Sequence, residues 1–583
     1  MYKRQNYLRA FFNSEIRPII SPQVVDKRHP FPFLKNKDIY AITHLESKNS
    51  VKLGIIPANG SFPRMIILPD KERLRFVLAE EVILRYCNSV FENYRIIDKA
   101  LIRITRNADI NMEEALYDHD VDLRQVMEEL LKKRKKLSPV RLEIYGCLNN
   151  EAEKFLCHNL ELHEHQISRC KAPLDMSFVF SLRNRIEKAH PEMFYTPVSP
   201  QRPAEVIHGA PMIPQILRRD ILLSYPYESI RPFIALLNEA GNDPDVVSIK
   251  ITLYRVASNS KIVEALINAA ENGKDVFVLV ELRARFDEEN NIEWSKRLEK
   301  AGCKVMYGPE NLKVHSKLLL ITRKNGSEVQ YITQIGTGNY NEKTSELYTD
   351  LSLMTADSDI GAEAGTVFNA LSIGNLVENS SYLLVAPLSL QNKIIELIDR
   401  EIAAAECGEE AYIGLKLNSL TDKVLMDKLI EASCAGVKIE MVIRGISCLV
   451  AGVKDKTENI TIRSIVGRYL EHSRIYIFGK GERRKVYISS ADFMTRNTIR
   501  RIEVAAPINS PKIRSRILHI FDIMLRDNVK ARIQNPDGTY SKVIPAEGEE
   551  LINAQEYFIK EAAENANAAA VRKPIKVKVR RIR

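Results

Sequence analysis

The chain has 583 residues, 45% apolar and 27% charged, with a formal net charge of +10. That length exceeds one hydrophobic core and predicts about three domains. The composition excludes a low-complexity or fibrous chain, no apolar run reaches the roughly 18 residues of a membrane-spanning helix, and the excess of cations points to an anionic partner: nucleic acid, a membrane surface or a phosphate-rich substrate.

The N-terminal stretch MYKRQNYLRAFF lacks the apolar core and cleavage site of a signal peptide. The eight cysteines form no Cys-x-x-Cys pair, which leads us to expect reduced thiols and a cytoplasmic location. Residues 1–200 mix short apolar runs with charged helical periodicity, as in KERLRFVLAEEVILRYCNSVF and MEEALYDHDVDLRQVMEELLKKRKKL. This predicts a mixed α/β domain with exposed helices. Cys157, His158, His163, His165 and Cys170 lie close together, but their spacing matches no zinc finger, and the segment reads as a polar loop ahead of an apolar stretch. TPVSPQRPAEVIHGAPMIP (196–214) is Pro-rich and reads as an irregular crossing.

Downstream the texture changes. VVSIKITLY and DVFVLVEL are β-branched runs that flank the amphipathic pattern SKIVEALINAAENGK. That order is β-α-β and predicts a parallel sheet covered by helices. The order returns in AYIGLKLNSL, DKVLMDKLIEASCAG and VKIEMVIRG. Aligning Gly436 with Gly273 sets Arg444 opposite Glu281. Each unit then reaches a histidine followed by serine and a cation, His315-Ser-Lys317 and His472-Ser-Arg474. Each continues to a small-residue turn, QIGTGN and YISSAD. Asn339 and Asp492 are equivalent, and each is followed eleven residues on by a carboxylate, Asp350 or Glu503. We read residues 201–382 and 383–568 as a duplicated α/β domain, with a basic tail at 569–583.

These residue types suit phosphoryl transfer, which demands positioning and charge neutralisation. A neutral imidazole is a nucleophile and base near neutral pH, and a carboxylate on its other nitrogen fixes the tautomer. Asp350 and Glu503 are the candidates; the spacing leaves open which serves which histidine. Lys317 and Arg474, two residues along a strand from each histidine, should share its face and meet phosphoryl oxygens. The turn Gly336-Thr337-Gly338-Asn339 should offer backbone N–H groups to an anion. Arg255, Arg283, Arg285 and Arg444 follow strand C-terminal ends, where ligands bind in parallel sheets. The run Asp287, Glu288, Glu289 reads as loop decoration.

His-x-Lys with a downstream Gly-Thr-Gly-Asn resembles the phospholipase D superfamily, whose two half-sites meet around paired histidines. The blocks KITLYRVASNSKIVEALINAAENGK, VELRARFDEENNIEW, LKVHSKLLL, IGTGNYNEKTSELYTDLSLMTAD, RYLEHSRIYIF and YISSADFMTRN resemble, more closely, the polyphosphate kinases of the long, histidine-phosphorylating type. The resemblance implies an α/β chain with a mixed α/β head domain followed by two phospholipase-D-like α/β domains. It implies reversible, Mg2+-assisted transfer between ATP and inorganic polyphosphate, with ATP, ADP and polyphosphate as partners and no nucleic acid. Carried over by position, His315 is the phosphorylated residue and His472 the second catalytic histidine. Tyr348 and Arg444 sit at ATP-contacting positions, and Arg255 and Arg285 at positions associated with phosphate and magnesium. The roles of Lys317, Asn339, Arg474, Asp350 and Glu503 rest on the repeat.

The family's N-terminal helical part, with an Asn that helps hold the nucleotide, has no counterpart in this sequence. We therefore expect copies of the chain to associate with each other, or with a separate chain that supplies that part, and we allow a peripheral contact with membranes. Two rival readings are a phospholipase-D-type phosphodiesterase, whose second motif should carry Lys where Arg474 stands, and an inactive polyphosphate-binding remnant.

Overall fold

The computed structural model describes residues 2–571 apart from 27–28, 47–50, 61, 71–72, 108–122, 135, 285–286, 310 and 379. Arg285 and the basic tail 572–583 thus lie outside the described residues. The chain folds as two units, Met1–Thr196 and Pro197–Arg583.

The first unit is built on a six-stranded sheet in the order Gln23–Val25, Lys52–Pro57, Ile39–Leu45, Ile96–Arg106, Pro139–Cys147, Ile167–Cys170. Every pairing is antiparallel except the last. Successive side chains of a strand point to opposite faces, and both faces are covered. Ile42, Ile55 and Ile102 pack with Leu156 and Leu160 of the helix Asn150–Leu160. Ala41, Ile56 and Leu101 pack with Val82 and Ile83 of the helix Ala79–Tyr86. Asn149 caps the first of these helices by accepting from Ala152 N at 2.9 Å.

Two local readings change. The segment read as a single helix from Lys71 onward has a strand at Phe76–Leu78, paired with Met65–Ile67, before its helix begins. Cys157 to Cys170 is a helix end, a turn and a strand rather than a loop. Cys157 faces the core, and His163 and His165 stack on each other at 5.5 Å.

The second unit contains the duplication. Its first sheet runs Lys304–Tyr307, Asp275–Val280, Val246–Leu253, Leu318–Asn325, Glu328–Gly336, Tyr348–Thr355. Its second runs Ile460–Ile465, Lys438–Ile443, Tyr412–Leu417, Arg474–Phe478, Lys485–Ser489, Val504–Pro507. In both, the first two pairings are parallel and the next three antiparallel. The parallel sheet expected from β-α-β is therefore mixed. The reason is local in the first copy: Gly326-Ser327 makes a two-residue hairpin loop between the paired Asn325 and Glu328, with Gly326 at φ 63°, and returns the chain antiparallel. The helices Lys261–Glu271 and Lys423–Cys434 provide the parallel crossovers, each capped by a preceding side chain, Ser260 or Asp422.

Candidate active site

Two short parallel pairings stitch the sheets together. Lys313–Val314, just before His315, pairs with Arg501–Ile502, just before Glu503. Tyr348–Thr349, just before Asp350, pairs with Leu470–Glu471, just before His472. The ladders therefore deliver each histidine to the carboxylate of the opposite half. His315 Nδ1 lies 2.9 Å from both oxygens of Glu503, and His472 Nδ1 lies 2.9 Å from both oxygens of Asp350. An ionised carboxylate only accepts, so with its carboxylate charged each Nδ1 carries the proton and each Nε2 keeps its lone pair.

The backbone around the histidines is held from both sides. His315 N and Ser316 N both donate to Ile502 O, at 3.0 and 2.9 Å, and His472 N donates to Thr349 Oγ1 at 3.1 Å. Thr252 Oγ1 donates to Ser316 O at 2.8 Å, and at the matching place in the second sheet Lys416 Nζ donates to Ser473 O at 3.1 Å. Glu281 accepts from Val314 N at 2.8 Å, while Arg444 donates to Glu471 O at 2.7 Å. The position pairing Arg444 with Glu281 thus holds the residue before each histidine, with opposite polarity in the two halves.

His315, Ser316 and Lys317 lie in the gap between the strands Lys313–Val314 and Leu318–Asn325, and His472 lies in the equivalent gap. Neither histidine therefore shares a strand with its cation, and of the two cations only Arg474 lies in a strand, Arg474–Phe478. Lys317 is buried, donates to His315 O, and sits 5.3 Å from the Tyr254 ring centre. Arg474 pairs with Asp492 at 2.9 Å, donates to His472 O at 2.8 Å and to Thr337 O at 3.2 Å, and lies against the His472 ring. Tyr348 stacks obliquely on His472 at 5.3 Å, and Tyr254 meets His315 edge-on at 4.8 Å.

Two of the four backbone N–H groups of the turn 336–339 already have partners within the protein. Gly336 N donates to Lys317 O and Thr337 N to Leu351 O, so both N–H groups are already used. Gly338 is glycine for another reason: a Cβ there would lie 2.1 Å from Asp350 Oδ2. Asn339 closes that turn with a buried Oδ1 that finds no hydrogen-bond partner among the described residues. Among the strand-end arginines, Arg444 contacts Asn418 and Glu471 in the site. Arg255 pairs with Asp287 at 3.0 Å, and Arg283 is spent on Glu281 and the Pro309 and Leu312 carbonyls.

Burial, with Lys317, Arg501 and Arg474 around it, holds the His315 imidazolium well below the usual histidine range. Burial also lowers His472, aided by Arg474 and opposed by Asp350. Both rings are neutral near pH 7. Burial pushes the Glu503 carboxyl up to about 7, against the pull of Lys317 and Arg501. Asp350 stays below its usual range despite burial, because His472, Thr337 and Arg474 favour its charge.

Residues that the spacing argument passed over also belong here. Thr337 and Ser490 each donate to a carboxylate, at 2.6 Å to Asp350 and 2.5 Å to Glu503. Both hydroxyls lie thirteen residues before their carboxylate, a periodicity readable in the sequence beside the eleven-residue one. Arg501, 3.7 Å from Glu503, and the buried Lys416–Glu471 pair at 3.0 Å carried no sequence signal.

For a resident magnesium ion the fit is poor. Guanidinium has no lone pair to give a metal, so Arg255 cannot ligate it. Among the described residues there is no group of three His, Cys, Asp or Glu side chains able to hold an ion. The site carboxylates are committed to His315, His472 and Arg474.

The comparisons with known proteins agree along the chain. Residues 3–182 match the polyphosphate kinase middle domain, 211–377 match polyphosphate kinase C-terminal domain 1, and 383–555 match polyphosphate kinase C-terminal domain 2. A polyphosphate kinase of Bacillus anthracis is 40% identical over 574 residues, covering 97% of this chain and 81% of its own. One from Halalkalibacterium halodurans is 41% identical over 573 residues, with the same coverage of 97% and 81%. The crystal structure of polyphosphate kinase from Porphyromonas gingivalis superposes with a TM-score of 0.84 at 31% identity, covering 97% of this chain and 84% of that one. With two thirds and more of these relatives matched from end to end of the described fold, the chain belongs to the polyphosphate kinase family.

Proposed function

We propose that this chain moves the γ-phosphoryl group of ATP to polyphosphate, reversibly, by way of a phosphohistidine on His315. One observation carries the reading: two neutral imidazoles, each tied through Nδ1 to a carboxylate of the other half, keep the Nε2 lone pair in a cationic surround, that of His472 3.3 Å from Arg474 Nη1. His315 Nε2 attacks the γ-phosphorus; the N–P bond forms, the bond to the bridging oxygen breaks, and ADP leaves with that electron pair. A terminal oxygen of polyphosphate then attacks the same phosphorus, and the N–P bond breaks to return the pair to Nε2. Lys317, Arg474, Arg444 and Arg501 neutralise the equatorial oxygens in both steps. His472, with Asp350 behind it, takes or gives the proton as leaving group and acceptor exchange.

Tyr348 and Arg444, beside His472, are assigned to the nucleotide, and Arg255 and Arg285 to phosphate. Magnesium belongs to the nucleotide phosphates rather than to a protein cage, which accords with the way Mg2+ binds through substrate oxygens and water.

The test is incubation with γ-32P-labelled ATP. The wild-type chain should acquire acid-labile, base-stable label, and His315→Ala should acquire none. Equal label in the two would end the assignment.

A further inference from the structure

The two hydroxyls beneath the histidine pairs repeat a full hydrogen-bond pattern. Thr337 Oγ1 donates to Asp350 at 2.6 Å and accepts from Leu351 N at 3.0 Å, while Thr337 N donates to Leu351 O at 2.9 Å. Ser490 Oγ donates to Glu503 at 2.5 Å and accepts from Val504 N at 3.1 Å, while Ser490 N donates to Val504 O at 3.0 Å. Both residues are completely buried. The accepted N–H orients each hydroxyl so that its nearest acceptor is the carboxylate; for Ser490 the Val504 carbonyl, at 3.4 Å, is the more distant alternative. A buried carboxylate that accepts such a bond is held in its charged form, and a charged carboxylate accepts from Nδ1. A protonated one would instead donate to Nδ1 and move the ring proton to Nε2, which removes the nucleophile.

We propose that Thr337 and Ser490 are matched positioning residues that favour the charged forms of Asp350 and Glu503, and so select the histidine tautomer whose Nε2 is unprotonated. The two halves differ in how much they need this. Asp350 faces His472, Arg474, Lys416 and Lys317, and its charge is well supported. Glu503 faces His315, Lys317, Arg501, Arg474 and Tyr254, yet burial still brings it to about 7. Ser490 therefore acts on a carboxyl that titrates in the working range, and Thr337 on one that does not.

The inference rests on His315 being the phosphoryl acceptor, and one experiment separates the two claims. The rate of labelling by γ-32P-ATP is measured from pH 5.5 to 9 for wild type, Ser490→Ala and Thr337→Val. The wild-type rate should fall as pH drops through about 7. In Ser490→Ala that acid limb should move up by about one pH unit, the worth of one hydrogen bond to a charged group. Thr337→Val should lower the rate with its acid limb in place. A Ser490→Ala limb that coincides with wild type, or a rate lowered equally at every pH, overturns the role of the hydroxyl. Absence of label in the wild type overturns the phosphohistidine reading and this inference with it. Should Ser490→Ala fail to fold, Ser490→Cys, whose thiol is a weaker donor, is expected to shift the limb in the same direction by less. The 15N shifts of His315 give a second reading, with Nδ1 protonated in wild type at pH 8 and mixed tautomers in the variant.

Discussion

At the scale of single residues, the site is organised by contacts to two carboxylates. Gly338 shows this most directly, since an added Cβ would fall inside the Asp350 carboxylate. Gly338→Ala should push Asp350 off His472, destabilise the chain by about 1–3 kcal/mol as an overpacked substitution, and lower kcat. A Gly338→Ala enzyme with wild-type kcat would show that the approach of Asp350 is incidental. Asp350→Asn keeps the shape but gives Nδ1 an N–H donor in place of an acceptor. It should cost about 10^2–10^4-fold in turnover, the range of a general acid–base. The same assay on Asp492→Asn should weaken the Arg474 anchor rather than the tautomer, raising KM for the phosphate substrates more than it lowers kcat. Much of this site is legible in the sequence: the His-Ser-cation repeat offers His315 and His472, and the eleven-residue spacing offers Asp350 and Glu503. Their crossed pairing does not, because a spacing within one copy says nothing about which copy's carboxylate completes which ring. The N–H groups of Gly336 and Thr337 misled for a related reason: glycine allows close approach, and the sequence does not say of what.

At the scale of elements, the histidines are placed by gaps between strands. Residues 315–317 and 472–473 leave the sheet: the N–H groups of His315, Ser316 and His472 go to Ile502 and Thr349 of the opposite half, and Thr252 and Lys416 hold the carbonyls of Ser316 and Ser473. Lys416 and Glu471 form a buried pair whose acid also accepts from Thr349 and from Gln555 of the C-terminal helix Ala554–Val571. Removing one partner of such a pair leaves the other charged and unpaired. Lys416→Met should therefore cost about 3–5 kcal/mol in denaturant unfolding, and Lys416→Met combined with Glu471→Gln should regain part of it. A double variant no more stable than the single one would mean that the pair holds shape rather than charge. The β-α-β order was readable from β-branched runs and helical periodicity. The antiparallel half of each sheet is not legible in the same way, although Gly326-Ser327 is a hairpin signal, because the apolar run after His315 looks the same in either strand direction.

At the scale of the whole molecule, the duplication has produced halves that are not independent. One apolar cluster joins Leu222, Leu351 and Leu353 of the first sheet to Ile475, Ile488 and Ile517 of the second half. Another joins Leu279, Leu320 and Phe368 to Ile502, Val504 and Ala506. Each half alone would expose its share of both clusters, together with a histidine lacking its carboxylate and the edge strands that carry the two parallel pairings. We place the boundary between them at 382/383, between the helix Ser358–Ser372 and the strand Leu384–Val385. Residues 1–382 and 383–583 expressed separately should each aggregate and take no label from γ-32P-ATP. Expressed together they should reassemble and recover labelling at His315, since the covalent link at 382/383 contributes neither a strand pairing nor a site residue. The decisive variant is Glu503→Gln in the second fragment alone. If the carboxylate is supplied across the halves, that fragment should assemble with an intact first fragment yet leave His315 unlabelled near pH 7. Normal labelling in that assembly would show that His315 does not need the other half's acid.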